Sequence, residues 1–196
     1  MSVQVTQPAP EFTATAVMPD NSFNDSFSLE DLKGQYTVLF FYPLDFTFVC
    51  PSEIIAFDKK VDEFKSRNCQ LVGCSVDSHF SHLAWKNTPV NQGGIGNVQF
   101  PLIADLTKQI SRDYGVLIND AISLRGLFLI DKDGIVRHAL INDLPLGRNV
   151  DEAIRVIDAL QHTEEHGEVC PANWNKGDDA MTPSAEGVAS YLSDNA

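Results

Sequence analysis

Seven consecutive apolar or β-branched positions, Tyr36–Tyr42 (YTVLFFY), form the most continuous hydrophobic run in the chain. Such a run predicts a strand buried on both faces. Leu71–Val76 predicts a second buried strand and Phe100–Ala104 a short third. Gly126–Asp131 and Gly134–Ile141 predict two strands joined by the turn Asp131-Lys132-Asp133-Gly134.

Helical spacing alternates with these runs. Ile54, Phe57, Val61 and Phe64 fall on one stripe of a helix expected over Pro51–Asn68, with Asp58, Lys59, Asp62, Glu63 and Lys65 facing out. Further helices are expected over Ser78–Lys86, Leu106–Tyr114 (ended by Gly115) and Val150–His162. In the last, Val150, Ala153, Ile154, Ile157 and Leu160 share a face. Residues 1–35 read as a β-hairpin lead-in. There Ser28 and Asp31 stand at capping-box spacing and Gly34 supplies a stop. Asn87–Asn97 reads as a flexible loop. Its Gly93-Gly94-Ile95-Gly96 lacks the order of a dinucleotide fingerprint.

Strands alternating with helices and then a hairpin predict an α/β sandwich with a central mixed sheet, of thioredoxin-like fold. From Thr163 acidic and small residues dominate, with Pro171 and Pro183 as breakers. The chain is therefore expected to form one domain over 1–162 and a C-terminal arm over 163–196.

Composition narrows the function. With 14 Lys and Arg against 27 Asp and Glu, the net charge is -13, opposite to that of a nucleic-acid binder. No stretch approaches a membrane span. The start, MSVQVTQPAPEF, lacks a basic region followed by an apolar run, so a cytoplasmic location is expected. In that compartment four cysteines point to metal or redox chemistry rather than a disulfide scaffold.

The cysteines differ in setting. Val49-Cys50-Pro51 stands where the loop after Tyr42 enters a helix, and Val169-Cys170-Pro171 repeats the tripeptide in a polar stretch. A thiolate at a helix start gains from unpaired N–H groups and the helix dipole. The alternative for Cys50 is a small apolar residue packed behind the loop. The alternative for Cys170 is a surface thiol without a role. Ionisation alone gives little speed, because nucleophilicity falls as thiol acidity rises; fast chemistry requires groups that orient and polarise the second reactant. Thr47 could offer a hydroxyl to sulfur and substrate, or only cap the loop. Arg125 enters an apolar strand where its charge needs a partner; a thiolate would serve, and so would exposure at the strand start. Cys69 and Cys74 read as core thiols. Their spacing makes no zinc set, and His79 and His82 read as solvated or capping.

The run Pro43-x-x-x-Thr47-x-x-Cys50 resembles the signature of peroxiredoxins, and Val169-Cys170-Pro171-Ala172-Asn173-Trp174 resembles the resolving segment of their typical two-cysteine subgroup. His82-Leu83-Ala84-Trp85, Gly93–Gly96, Arg125-Gly126-Leu127-Phe128 and Leu144-Pro145-Leu146-Gly147-Arg148 extend the resemblance over about residues 3–192. It implies a thiol-dependent peroxidase acting on hydrogen peroxide and organic hydroperoxides. Cys50 would be the peroxidatic nucleophile, shielded by Pro43, bonded by Thr47 and supported by Arg125, with Glu53 and Arg148 in a supporting polar network. Cys170 of a partner subunit would resolve the sulfenic acid as a disulfide. Thioredoxin or a flavin-linked disulfide reductase would reset the enzyme, with no metal, haem or flavin in the chain. Dimers would assemble into a decamer, with Trp85 and Phe46 near subunit contacts. The oxidation-sensitive members' Gly-Gly-Leu-Gly and Tyr-Phe become Gly93-Gly94-Ile95-Gly96 and Tyr191-Leu192 here, which implies intermediate overoxidation. A general thiol–disulfide oxidoreductase, lacking its C-x-x-C, and a holdase chaperone are the alternatives.

Overall fold

The computed structural model describes residues 3–195. Among them run nine strands and six helices: β1 (Thr13–Val17), β2 (Phe23–Ser28), β3 (Tyr36–Phe41), α1 (Cys50–Lys59), α2 (Val61–Lys65), β4 (Cys69–Ser75), α3 (His79–Asn87), β5 (Leu102–Ala104), α4 (Gln109–Asp113), β6 (Leu117–Ile118), β7 (Ile122–Ser123), β8 (Arg125–Ile130), β9 (Val136–Asn142), α5 (Val150–His166) and α6 (Ala185–Asn195). Seven strands form one sheet in the order β2-β1-β5-β4-β3-β8-β9. The β3–β4 and β4–β5 pairs are parallel and the remaining pairs antiparallel. This is the mixed, thioredoxin-like sheet with an N-terminal hairpin that the pattern predicts.

β3 lies at the centre, and all six of its residues are buried. Its alternation builds two cores. Leu39 and Phe41 join Val72, Cys74, Ile103 and Phe128 on one face. Phe40 stacks on Phe57 of α1 on the other, with ring centroids 4.5 Å apart. Leu127 of β8 is level with Phe40, so Arg125, two residues earlier, points to the same face as Phe40 and α1. Gly126 faces the other way, where a Cβ would stand 2.6 Å from Val116.

Three elements depart from the sequence pattern. The helix expected over Pro51–Asn68 is broken at Lys60, whose N–H bonds the Phe57 carbonyl three residues back. This tight turn carries the stripe onward with Val61 and Phe64 still buried. The helix expected over Leu106–Tyr114 shrinks to α4. The Asp105 carboxylate takes up the Ile110 and Ser111 N–H groups at 3.2 and 2.7 Å, which fixes a later start. The C-terminal stretch expected as an arm contains a helix of its own, α6. By contrast, Ser28 and Asp31 bond reciprocally as the capping-box spacing requires.

The chain divides into two compact units, one ending at Val150 and one beginning at Asp151. The sequence pattern changes later, at Thr163, within α5. In the second unit, α5 is followed by a Val169–Met181 bridge and α6. Ala153, Ile154 and Ile157 of α5 are buried. No helix of the described residues is long and apolar enough to cross a membrane.

Candidate active site

Cys50 is the first residue of α1, and its neighbour Pro51 has no N–H to leave unpaired. Its side chain is fully buried. Thr47 Oγ1 lies 2.9 Å from the sulfur and also donates to the Leu44 carbonyl at 2.8 Å. A hydroxyl carries one hydrogen. While that hydrogen points to Leu44, the sulfur can only donate to Thr47, as a thiol. A thiolate draws it across. Pro43 is buried at the start of the same loop.

Arg125 donates through one guanidinium nitrogen to Cys50 Sγ at 3.4 Å and to Glu53 at 2.5 Å; its Nε holds the Leu144 carbonyl at 2.7 Å. Arg148 meets Glu53 through its backbone N–H, Nε and NH2 at 2.9, 2.8 and 3.1 Å. Its remaining nitrogen spans to the Phe41 and Gly126 carbonyls at 2.9 and 2.5 Å. Burial lowers the Arg148 pKa, opposed first by the bonds and charge of Glu53. All three charged side chains are buried. Two guanidiniums against one carboxylate leave one positive charge over, and a Cys50 thiolate brings the cluster to neutrality. Of the two settings the sequence left open for Arg125, a thiol partner or exposure at the strand start, it is buried beside the thiol, but its nearest partner is Glu53.

The loop before Cys50 is held by a network that the sequence reading missed. His82, expected to be solvated or capping, is fully buried. Its Nδ1 lies 2.8 Å from Asp45 and its Nε2 3.1 Å from the Ile103 carbonyl. Asp45 also accepts from Tyr42 Oη at 2.9 Å, and its own N–H bonds Asp77 at 2.8 Å. Burial, then the Asp45 charge, raise the Tyr42 pKa far above the phenol range, so the hydroxyl remains a donor. Between the anchored Asp45 and Thr47, Phe46 adopts φ 53°, a left-handed conformation that costs a bulky residue about 1–2 kcal/mol. The signal was present but weak. A tyrosine ending a buried strand needs a partner for its hydroxyl, and His82 shares a helical face with Trp85.

Trp85 is enclosed within the chain. Its Nε1 bonds the Gly93 carbonyl at 2.8 Å, and its ring lies under half-exposed Phe46 at 5.7 Å. Cys69 and Cys74 are core thiols as expected; burial pushes the former up to about 12 and the latter far above its usual value. Cys170, in the C-terminal unit, is half-buried. Its thiol donates to the Ala159 carbonyl at 3.5 Å, with Thr163 Oγ1 at 3.8 Å. The described residues hold no cluster of three or more His, Cys, Asp or Glu placed to bind a metal.

Known proteins carry the same framework. Residues 5–139 match the AhpC/TSA family, and residues 159–194 match the C-terminal domain of 1-Cys peroxiredoxin. The chain is 58% identical over 192 residues to alkyl hydroperoxide reductase C of Helicobacter pylori, covering 97% of each protein. It is 56% identical over 188 residues to Peroxiredoxin-1 of Gallus gallus, covering 95% of this chain and 94% of that protein. The crystal structure of a reduced Plasmodium vivax 2-Cys peroxiredoxin superposes with a TM-score of 0.95 at 58% identity, covering 96% and 98% of the two chains. The chain thus has close counterparts along nearly its full length: it belongs to the AhpC/TSA family and is a peroxiredoxin, a thiol-dependent peroxidase.

Proposed function

We propose that Cys50 is the peroxidatic nucleophile and that it reduces hydrogen peroxide and organic hydroperoxides. The observation that carries this is the convergence of Thr47 Oγ1 and the Arg125 guanidinium on Cys50 Sγ, at 2.9 and 3.4 Å. The thiolate attacks one peroxide oxygen and the O–O bond breaks. The sulfur becomes a sulfenic acid, and the other oxygen leaves as hydroxide or alkoxide, which takes up the proton released when the thiol ionised and departs as water or an alcohol. Arg125 faces the charge that moves from sulfur to the leaving oxygen, and Thr47 orients the peroxide through its lone pairs. Pro43 shields the site. Glu53 and Arg148 act through Arg125 by fixing its guanidinium.

Cys170 resolves the sulfenic acid. Its sulfur attacks Cys50 sulfur, the S–O bond breaks, an S–S bond forms, and hydroxide leaves with the thiol proton as water. The pairing is between subunits of a dimer, and dimers assemble into a decamer; among structural relatives, Plasmodium yoelii Prx1a modified at its N-terminus is described as an artifactual octamer. Cys50 is fully buried, so the first turn of α1 unwinds to let the sulfurs reach bonding distance. A dithiol partner, thioredoxin or a flavin-linked disulfide reductase, restores both thiols. Four free cysteines suit a reducing cytoplasm.

Non-reducing electrophoresis after stoichiometric peroxide tests the cycle. A covalent dimer is expected, absent from Cys50→Ser and from Cys170→Ser. A dimer persisting in either variant overturns the pairing, and peroxide turnover by Cys50→Ser overturns the nucleophile.

A further inference from the structure

The segment after α5 folds back along that helix through a ladder of polar ties. Glu168 meets His162 at 2.9 Å, and Cys170 donates to the Ala159 carbonyl at 3.5 Å. The Trp174 carbonyl accepts from Arg155 at 2.8 Å, and Lys176 lies 3.6 Å from Asp158. Positions 155, 159 and 163 succeed one another every four residues on one face of α5. Arg155 is aimed rather than loose. Its Nε and NH2 grip Glu152 at 2.6 and 2.8 Å, which turns NH1 to the Trp174 carbonyl. Trp174 is 2% exposed, packs against the His162 ring and spends its indole N–H on the Asp178 carbonyl at 3.0 Å.

The seat has a chemical consequence. A carbonyl oxygen only accepts, so the bond to Ala159 requires a proton on Cys170 sulfur. Attack on a sulfenic acid uses the thiolate. A Cys170 held in this bond is half-buried, tied to α5 and slow to meet a partner sulfur.

We propose that Arg155 is a positioning residue for the resolving step: by clamping the Trp174 carbonyl to α5 it keeps Cys170 seated, and release of this clamp precedes disulfide formation. This rests on the reading of Cys170 as the resolving thiol. The clamp lengthens the life of the Cys50 sulfenic acid, and so raises the share of Cys50 that a second peroxide converts to sulfinic acid.

The test is single-turnover oxidation by hydrogen peroxide of the reduced full-length chain. Rapid-quench mass spectrometry follows sulfenic, sulfinic and disulfide forms. Arg155→Gln should form the Cys50–Cys170 disulfide about tenfold faster, the weight of one charge-assisted bond. It should need more peroxide for sulfinic Cys50, while the first oxidation keeps its rate. Arg155→Lys, with charge but no fork, should lie between. Glu152→Gln frees the guanidinium without removing it and should shift in the same direction, which keeps the idea testable if Arg155→Gln misfolds. In a Cys50→Ser background, iodoacetamide should alkylate Cys170 faster in Arg155→Gln than in the parent across pH 6–9. An unchanged or slower resolving step in folded variants overturns the clamp alone. Absence of any Cys50–Cys170 disulfide in the parent overturns the clamp together with the reading beneath it.

Discussion

His82 and Asp45, 37 residues apart in sequence, meet at 2.8 Å with both side chains enclosed. The Ile103 carbonyl on the far nitrogen of His82 obliges that nitrogen to carry hydrogen. Nδ1 and the carboxylate oxygen then share a second proton, since two facing lone pairs would repel. Removing the imidazole should cost far more than neutralising the acid. His82→Ala should lose about 3–5 kcal/mol of stability, the cost of a buried charge without its partner. Asp45→Asn, whose amide can donate to a neutral imidazole and still accept from Tyr42, should lose about 1 kcal/mol. Urea titrations of the reduced protein measure both; equal losses would contradict the shared proton.

At Thr47 one hydroxyl serves both Leu44 and the sulfur. Thr47→Ser keeps the hydroxyl and should keep most of the activity. Thr47→Val removes it and should lower kcat/KM for hydrogen peroxide about 100-fold, as loss of a preorganised donor does elsewhere. Stopped-flow oxidation of the reduced variants checks the pair.

The Glu53 carboxylate separates two guanidiniums. Arg125→Lys keeps a charge but cannot reach Cys50, Glu53 and Leu144 together, so a loss of roughly 100-fold in kcat/KM is expected with the fold retained. Glu53→Gln should destabilise by about 3 kcal/mol or more, because it strands two buried cations. Activity and urea midpoints, measured on the same preparations, separate the two effects.

Lys86 gives the clearest pH signature. Burial lowers its pKa to about 8, against the opposing charges of Asp20 and Asp58, and its ammonium donates to the Met18 carbonyl at 2.7 Å. An unfolded lysine titrates near about 10.4. Between these values the unfolded chain binds more protons, so this group adds stability as pH rises; below pH 8 its burial cost is felt in full. The stability of the parent relative to Lys86→Met should therefore increase from pH 8 to 10. Paired urea midpoints at pH 7, 8, 9 and 10 test the sign.

Cys69 and Cys74, held as thiols by burial, should resist iodoacetamide at pH 8 until the chain unfolds. Peptide mass spectrometry before and after denaturation reads this directly. Label on either in the native protein would refute their assignment to the core.

The continuous run through Tyr42 marked the central strand, and Cys50 was visible as a thiol at a helix start. These signals are local. The partner of Arg125 was harder to see. Glu53 lies on α1, and only the alternation of β8 aims Arg125 at that helix. Asp45 and His82 were missed for the same reason: α3 and the loop after β3 become neighbours only when the parallel sheet forms. Arg155 was legible as one more polar residue on α5, because its partner is a backbone carbonyl and backbone carbonyls leave no trace in residue identities.

The tight turn at Lys60 limits how far a disturbance at sulfur travels. α1 is ten residues long, about 15 Å, and α2 begins afresh beyond the joint. Loss of the first turn at Cys50 can be absorbed within this short rod, leaving Phe64 and the floor of the sheet in place. The opening proposed at Cys50 thus ends at this joint and does not reach α2.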